Sequence, residues 1–167
     1  MMGVSHESKL VVSRLDRLWT ARDRGVRQRG GSLPTQVVEA VGWGPLTPVY
    51  DGSARAWSQG EFQNRGSAYS NVTGTYRDLQ ADGNTVYVNS DIQFLTPSAT
   101  DGSLQWQSYA TLSTPEIGTA DGVKPIGDLY TSFRSDSSKA RAVVGGCAQF
   151  GWPVPDPCER AYPSFSY

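Results

Sequence analysis

Between Thr85 and Phe94 the chain alternates: Val86, Val88, Ile92 and Phe94 fall on one parity, and Thr85, Tyr87, Asn89, Asp91 and Gln93 on the other. A period of two sends successive side chains to opposite faces of a pleated backbone, so this stretch predicts a half-buried β-strand. From Leu104 to Leu112 the same rhythm sets Leu104, Trp106, Ser108 and Ala110 against Gln105, Gln107, Tyr109 and Thr111, which predicts a second strand with Trp106 in the core. Leu129, Thr131 and Phe133 predict a third, and Ala140, Ala142 and Val144 a fourth. Upstream, Ala68, Ser70, Val72, Gly74 and Tyr76 mark another, with Ala54 to Trp57 as an addition. Asp-Gly steps at Asp51, Asp82, Asp101 and Asp121 punctuate these runs, and both residues tolerate the positive φ of tight turns. Short antiparallel strands with regular turn signals predict an all-β fold, an antiparallel β-sandwich of immunoglobulin-like or jelly-roll type. A small closed barrel is the alternative.

The first part of the chain has a different pattern. Leu10, Val11, Arg14, Leu15, Leu18 and Trp19 recur at spacings that suit one helical face, with Ser8 as a cap and Gly25 or Gly30-Gly31 as the stop. From Ser32 to Pro48 a β-branched run meets Gly42-Trp43-Gly44-Pro45, which reads as a linker or an edge strand. The expected organisation is therefore an extended or partly helical arm with its linker over residues 1–48 and a sandwich over 49–167.

Composition narrows the chemistry. The 167 residues include 18 glycines and 10 prolines, which suits turns rather than a helical bundle, and no apolar run is long enough to cross a membrane as a helix. A single histidine, His6, argues against a Ser/His/Asp triad, a Cys/His dyad and a multi-histidine metal site, so no cofactor and no metal are expected. Net charge is −1, yet residues 1–34 carry seven basic side chains (Lys9, Arg14, Arg17, Arg22, Arg24, Arg27 and Arg29) against Glu7, Asp16 and Asp23, a net of +4. An Arg-rich arm ahead of an acidic body suggests docking on other protein subunits. Nucleic acid is not the expected partner, because Trp19 is the only aromatic ring in the arm to stack on a base.

Cys147 and Cys158 are the only cysteines, and the ten residues between them include three prolines. A disulfide closing this loop is the expectation, with two reduced buried thiols as the other reading. Zinc is disfavoured, since two thiolates leave two ligand positions empty. The opening Met1 to Ser8 has neither the basic region nor the apolar run of a secretion signal.

Candidate carboxylates for a paired acid/base mechanism are Glu39, Glu61, Asp91, Glu116, Asp128 and Glu159. Of these only Asp91 falls inside a predicted strand, and on its solvent face, so catalysis is not expected. Aromatic residues offer a ligand platform instead: Tyr87 and Tyr109 across the solvent face, with Gln93, Gln105 and Gln107 beside them, would suit a glycan.

The run Gly74 to Val88, containing Asp78 and Ala81-Asp82-Gly83, and the closure Cys147 through Trp152-Pro153-Val154-Pro155-Asp156-Pro157-Cys158 resemble the small exported β-sandwich proteins of actinobacteria, related modules of which occur in phages of those hosts. The resemblance spans about residues 68–160 and implies a disulfide-closed, non-catalytic sandwich. Together these features predict a structural protein, virion-borne or extracellular, that docks into an assembly through its arm, as a phage head decoration or tail component does. The alternative is a secreted carbohydrate-binding module or the accessory subunit of an exported particle.

Overall fold

A computed structural model describes residues 37–66 and 68–167. The proposed arm residues, Leu10 to Trp19 and Arg22 to Arg29, lie outside the described residues.

The reading of the Asp-Gly steps as hairpin turns applies to Asp51-Gly52 and Asp101-Gly102 and is corrected for the other two. Strands β1 (Glu39–Leu46), β2 (Val49–Tyr50), β3 (Ser53–Ala54), β4 (Ala56–Asn64) and β5 (Tyr69–Asp78) precede β6 (Thr85–Pro97) and β7 (Leu104–Ser113). A short 3-10 turn at Thr119–Asp121 leads to β8 (Lys124–Pro125), β9 (Leu129–Ser132), β10 (Lys139–Gln149), β11 (Cys158–Ala161) and β12 (Ser164–Ser166). Asp51-Gly52 closes the two-residue hairpin between β2 and β3, with φ of 52° and 75°, as a type I′ turn requires. Gly102, at φ 71°, turns the β6–β7 hairpin. Gly83 and Gly122 instead sit in connections that carry the chain from one sheet to the other.

Two antiparallel sheets form the sandwich. One runs β1-β4-β5, with β8 and β9 on successive stretches of the far edge of β5. The second runs β11-β10-β6-β7, with β12 continuing the β11 edge along β10. Every sheet edge is thus interrupted or bulged, which blunts edge-to-edge pairing with other chains. The inward residues of β6 are the expected Val86, Val88, Ile92 and Phe94, joined by Ser90 and Thr96. They meet Phe62, Val72 and Tyr76 from the first sheet and Ala140, Ala142 and Val144 from β10.

Three stretches enter the sandwich that alternation did not place there. Strand β1 lies within the residues assigned to the linker. It pairs with β4 from Glu39 opposite Asn64 to Leu46 opposite Ser58, and Trp43 and Leu46 are buried. The boundary at 48 is therefore corrected: the edge-strand reading of Ser32–Pro48 applies from Glu39 onward. The physical reason is a contact across the sheet: the Trp43 ring lies over the facing glycines Gly60 and Gly74, which make room for it. Strand β4 extends past Trp57 to Asn64 and contributes fully buried Phe62. Finally β12 places Phe165 in the core, its ring centroid 4.6 Å from that of Phe62.

Candidate ligand-binding face

Strand β6 is an interior strand of its sheet, between β10 and β7, and its outward side chains form a row from Tyr87 through Asn89 and Asp91 to Gln93. Over six residues the row extends about 20 Å. The register sets neighbours on both sides: Gly145 and Ser113 flank Asn89, Val143 and Thr111 flank Asp91, and Arg141 and Ser108 flank Gln93.

These side chains hold one another in place. Gln93 Nε2 donates to Asp91 Oδ2 at 2.6 Å and Ser108 Oγ donates to Asp91 Oδ1 at 2.5 Å. Arg141 Nε donates to Gln93 Oε1 at 2.7 Å. The Arg141 guanidinium carbon lies 4.4 Å from the Trp106 ring centroid and 5.9 Å from that of Tyr162, so a cation rests between two aromatic rings. At the opposite end Tyr87 donates its hydroxyl to Asp156 Oδ2 at 2.9 Å, while Phe150 N donates to Asp156 Oδ1 at 2.9 Å. Burial, and then the Asp156 carboxylate, push the Tyr87 phenol up to about 12. Asp156 thereby ties the disulfide-closed loop to the strand row.

Between the two ends the face dips. Gly145 presents no side chain, and the hollow above it, about 340 Å³, is bordered by Asn89, Asp91, Thr111, Ser113, Val143, Arg160 and the Cys147–Cys158 bridge. A second hollow of about 280 Å³ lies beside Tyr87 and has Asn89 and Ser113 in common with the first as lining residues. The expected disulfide is present, and its two cysteines are direct partners across β10 and β11.

The expected platform is only partly assembled. Tyr87 and Gln93 occupy the outward row. Gln105 and Gln107 do not, because they stand opposite Thr96 and Phe94, whose side chains point inward. Tyr109 packs on the inner side, 5.4 Å from Phe94 and beneath the Arg134 guanidinium at 4.5 Å. The cause is a β-bulge: Ile92 pairs with Ala110 but Gln93 pairs with Ser108, leaving Tyr109 as the extra residue. Before the bulge Leu104 and Trp106 face outward, and after it Ala110 and Leu112 face the core, although all four share one parity. The placement of Trp106 in the core is therefore corrected. Arg141, Arg160, Tyr162 and Asp156 escaped the sequence reading. An outward Arg141 was legible from its place between Ala140 and Ala142, but its partners were not.

The candidate carboxylates are dispersed. Glu61 accepts from Gln63 on the first sheet, and Glu159 accepts from Thr47 N. Glu39 stands on β1, Asp128 precedes β9, and Glu116 accepts from Thr85 near Tyr87. Asp91 has both carboxylate oxygens occupied. Among the described residues no group of three His, Cys, Asp or Glu side chains is arranged to hold a metal ion, and Asp82, one of the turn aspartates, pairs with Arg55. A comparison with family models, curated proteins and solved structures finds no match.

Proposed function

We propose that this protein is a non-enzymatic recognition module that binds an extended, hydroxyl-rich ligand, a polysaccharide, along the outward face of β10, β6 and β7. The observation that carries this reading is the row Tyr87, Asn89, Asp91 and Gln93 running into a groove floored by Gly145. Side chains already fixed by mutual hydrogen bonds lose little freedom on binding, so their remaining donors and acceptors are preorganised for sugar hydroxyls. Trp106 and Tyr162 lie against the Arg141 guanidinium, which donates to Gln93 at the end of the row. The absence of catalysis is part of the proposal: Asp91 is engaged on both oxygens and serves as a scaffold for Gln93 and Ser108. The disulfide suits an oxidising setting, extracellular or virion-borne.

The test is affinity electrophoresis of the full chain and its Gly145→Leu variant through gels containing soluble polysaccharides. Retardation of the parent and free migration of a folded variant are expected. Equal migration of the two would sink the reading.

A second reading, an assembly protein of a phage virion or an exported particle, draws on a separate observation. Trp152 is 95% exposed on the loop closed by the disulfide, and the Tyr50 ring packs on Phe150 within the same loop. An exposed tryptophan is a common anchor at interfaces. Size-exclusion chromatography with light scattering, with and without residues 1–34, separates the two: a large complex lost on truncation supports assembly, and monomers in both cases remove it.

A further inference from the structure

We infer that the polysaccharide is acidic, bearing carboxylate or sulfate groups; this deepens the proposed reading and rests on it. Arg160 projects from β11 directly opposite Gly145 and borders the hollow. Its Cγ lies 3.7 Å from where a Gly145 Cβ would stand, so its stem forms a wall of the groove. Among the described residues the side-chain ion pairs are Arg55 with Asp82 and Arg134 with Asp136, and neither involves this face.

Arg141 is the second cation. Among the described residues its hydrogen bond is the one from Nε to Gln93, which leaves the terminal nitrogens for a ligand, while the guanidinium carbon lies 4.4 Å from the Trp106 ring centroid. It stands four residues from Gly145 along β10, about 13 Å from the Arg160 row. Lys139 occupies the next outward position of the same strand. Against these three cations stand Asp91, hydrogen-bonded to Gln93 and Ser108, and, at the Tyr87 end of the face, Asp156 and Glu116, of which Asp156 accepts from Tyr87 and Phe150 N and Glu116 from Thr85. Guanidinium groups match carboxylates and sulfates through paired N–H donors. The intervening Asn89, Thr111 and Ser113 offer hydroxyl and amide partners suited to sugar hydroxyls. Arg141 itself occupies a face of both Trp106 and Tyr162, which leaves little stacking surface for nucleic-acid bases.

The experiment is calorimetric titration of the full chain with two matched pairs of probes, polygalacturonate against its methyl ester and dextran sulfate against dextran. At least one acidic member is expected to bind about tenfold or more tighter than its neutral partner, with the difference shrinking as salt is added. Arg160→Gln, an exposed change that spares the fold, is expected to erase most of that difference. Gly145→Leu should abolish both. Equal affinity for charged and neutral partners would overturn the acidic assignment while leaving the polysaccharide reading intact. No binding of any probe overturns both. An unstructured oligonucleotide that binds as tightly as the acidic polysaccharide overturns the assignment in favour of a general polyanion surface.

Discussion

Gly145 and Gly146 are consecutive in β10, yet a methyl group added to each would meet different surroundings. At Gly145 the nearest atom is Arg160 Cγ at 3.7 Å, an ordinary contact. At Gly146 the new carbon would stand 2.6 Å from Ser58 Oγ and 3.3 Å from Leu46 Cβ, where the two sheets approach. Gly60 is tighter still, with the Thr73 carbonyl and the Trp43 ring both inside contact distance of any Cβ. Urea unfolding should therefore rank three variants. Gly145→Ala is expected to be neutral or stabilising by up to about 1 kcal/mol, because the unfolded chain loses freedom. Gly146→Ala should cost about 1 kcal/mol and Gly60→Ala about 3 kcal/mol, through overpacking against groups that differ in their ability to move. A reversed order would show that the groove floor, rather than the sheet contact, is the strained part of β10.

The last two strands show how little chain an essential element needs. Strand β12 has three residues, and Phe165 is the buried one, stacked on Phe62 and edge-on to Phe133. Truncating it to Ala removes a large buried ring and leaves a cavity, so a loss of about 3–5 kcal/mol is expected in chemical denaturation. Strand β11 is held differently. Its residues are exposed or half-buried, and the Cys147–Cys158 bridge across a sequence separation of 11 does the work that apolar burial does elsewhere. Loop-closure entropy for a ring of that size is worth about 3 kcal/mol. Reduction, or replacement of both cysteines by Ala, is expected to lower the melting temperature by roughly 10 °C. It should also release Arg160 and Tyr162, and with them the groove wall.

The folded protein's stability should depend on pH at both extremes, for different reasons. Burial and Asp156 raise the Tyr87 phenol to about 12, whereas in the unfolded chain it titrates near 10. Its contribution is thus fully present below pH 10 and is lost as pH rises towards 12, because the unfolded chain releases the proton first. Tyr87→Phe should remove this alkaline dependence in thermal melts. At the acid end, the Asn84 backbone N–H lowers Asp82, the Ser103 hydroxyl lowers Asp101, and the Arg134 guanidinium lowers Asp136. Each contributes stability above the ordinary carboxylate range that is lost as pH falls below about 4. All three lie in connections between strands, so acid should loosen the ends of the sandwich, as amide exchange near Asp82, Asp101 and Asp136 would report.

The inward parity of β6, the alternation at the start of β10 and the Asp-Gly turns were legible in the residues, because a period of two and a positive φ are local properties that need no partner. So was the disulfide, since two cysteines allow one intramolecular pairing. The faces of β7 were not legible. Leu104, Trp106, Ala110 and Leu112 all share one parity, and only a bulge opposite Ile92 and Gln93 turns the first two outward and the last two inward. Glu39–Leu46 was legible only as one of two readings of Ser32–Pro48, and Ser164–Ser166 was not, because the burial of these short segments depends on Gly60, Gly74 and Phe62 far away in the chain. The candidate site joins Asp91, Gln93, Ser108, Arg141, Arg160 and Tyr162 from four stretches of sequence. Register and strand order, which arise from contacts across the sandwich rather than along the strand, bring them to one face.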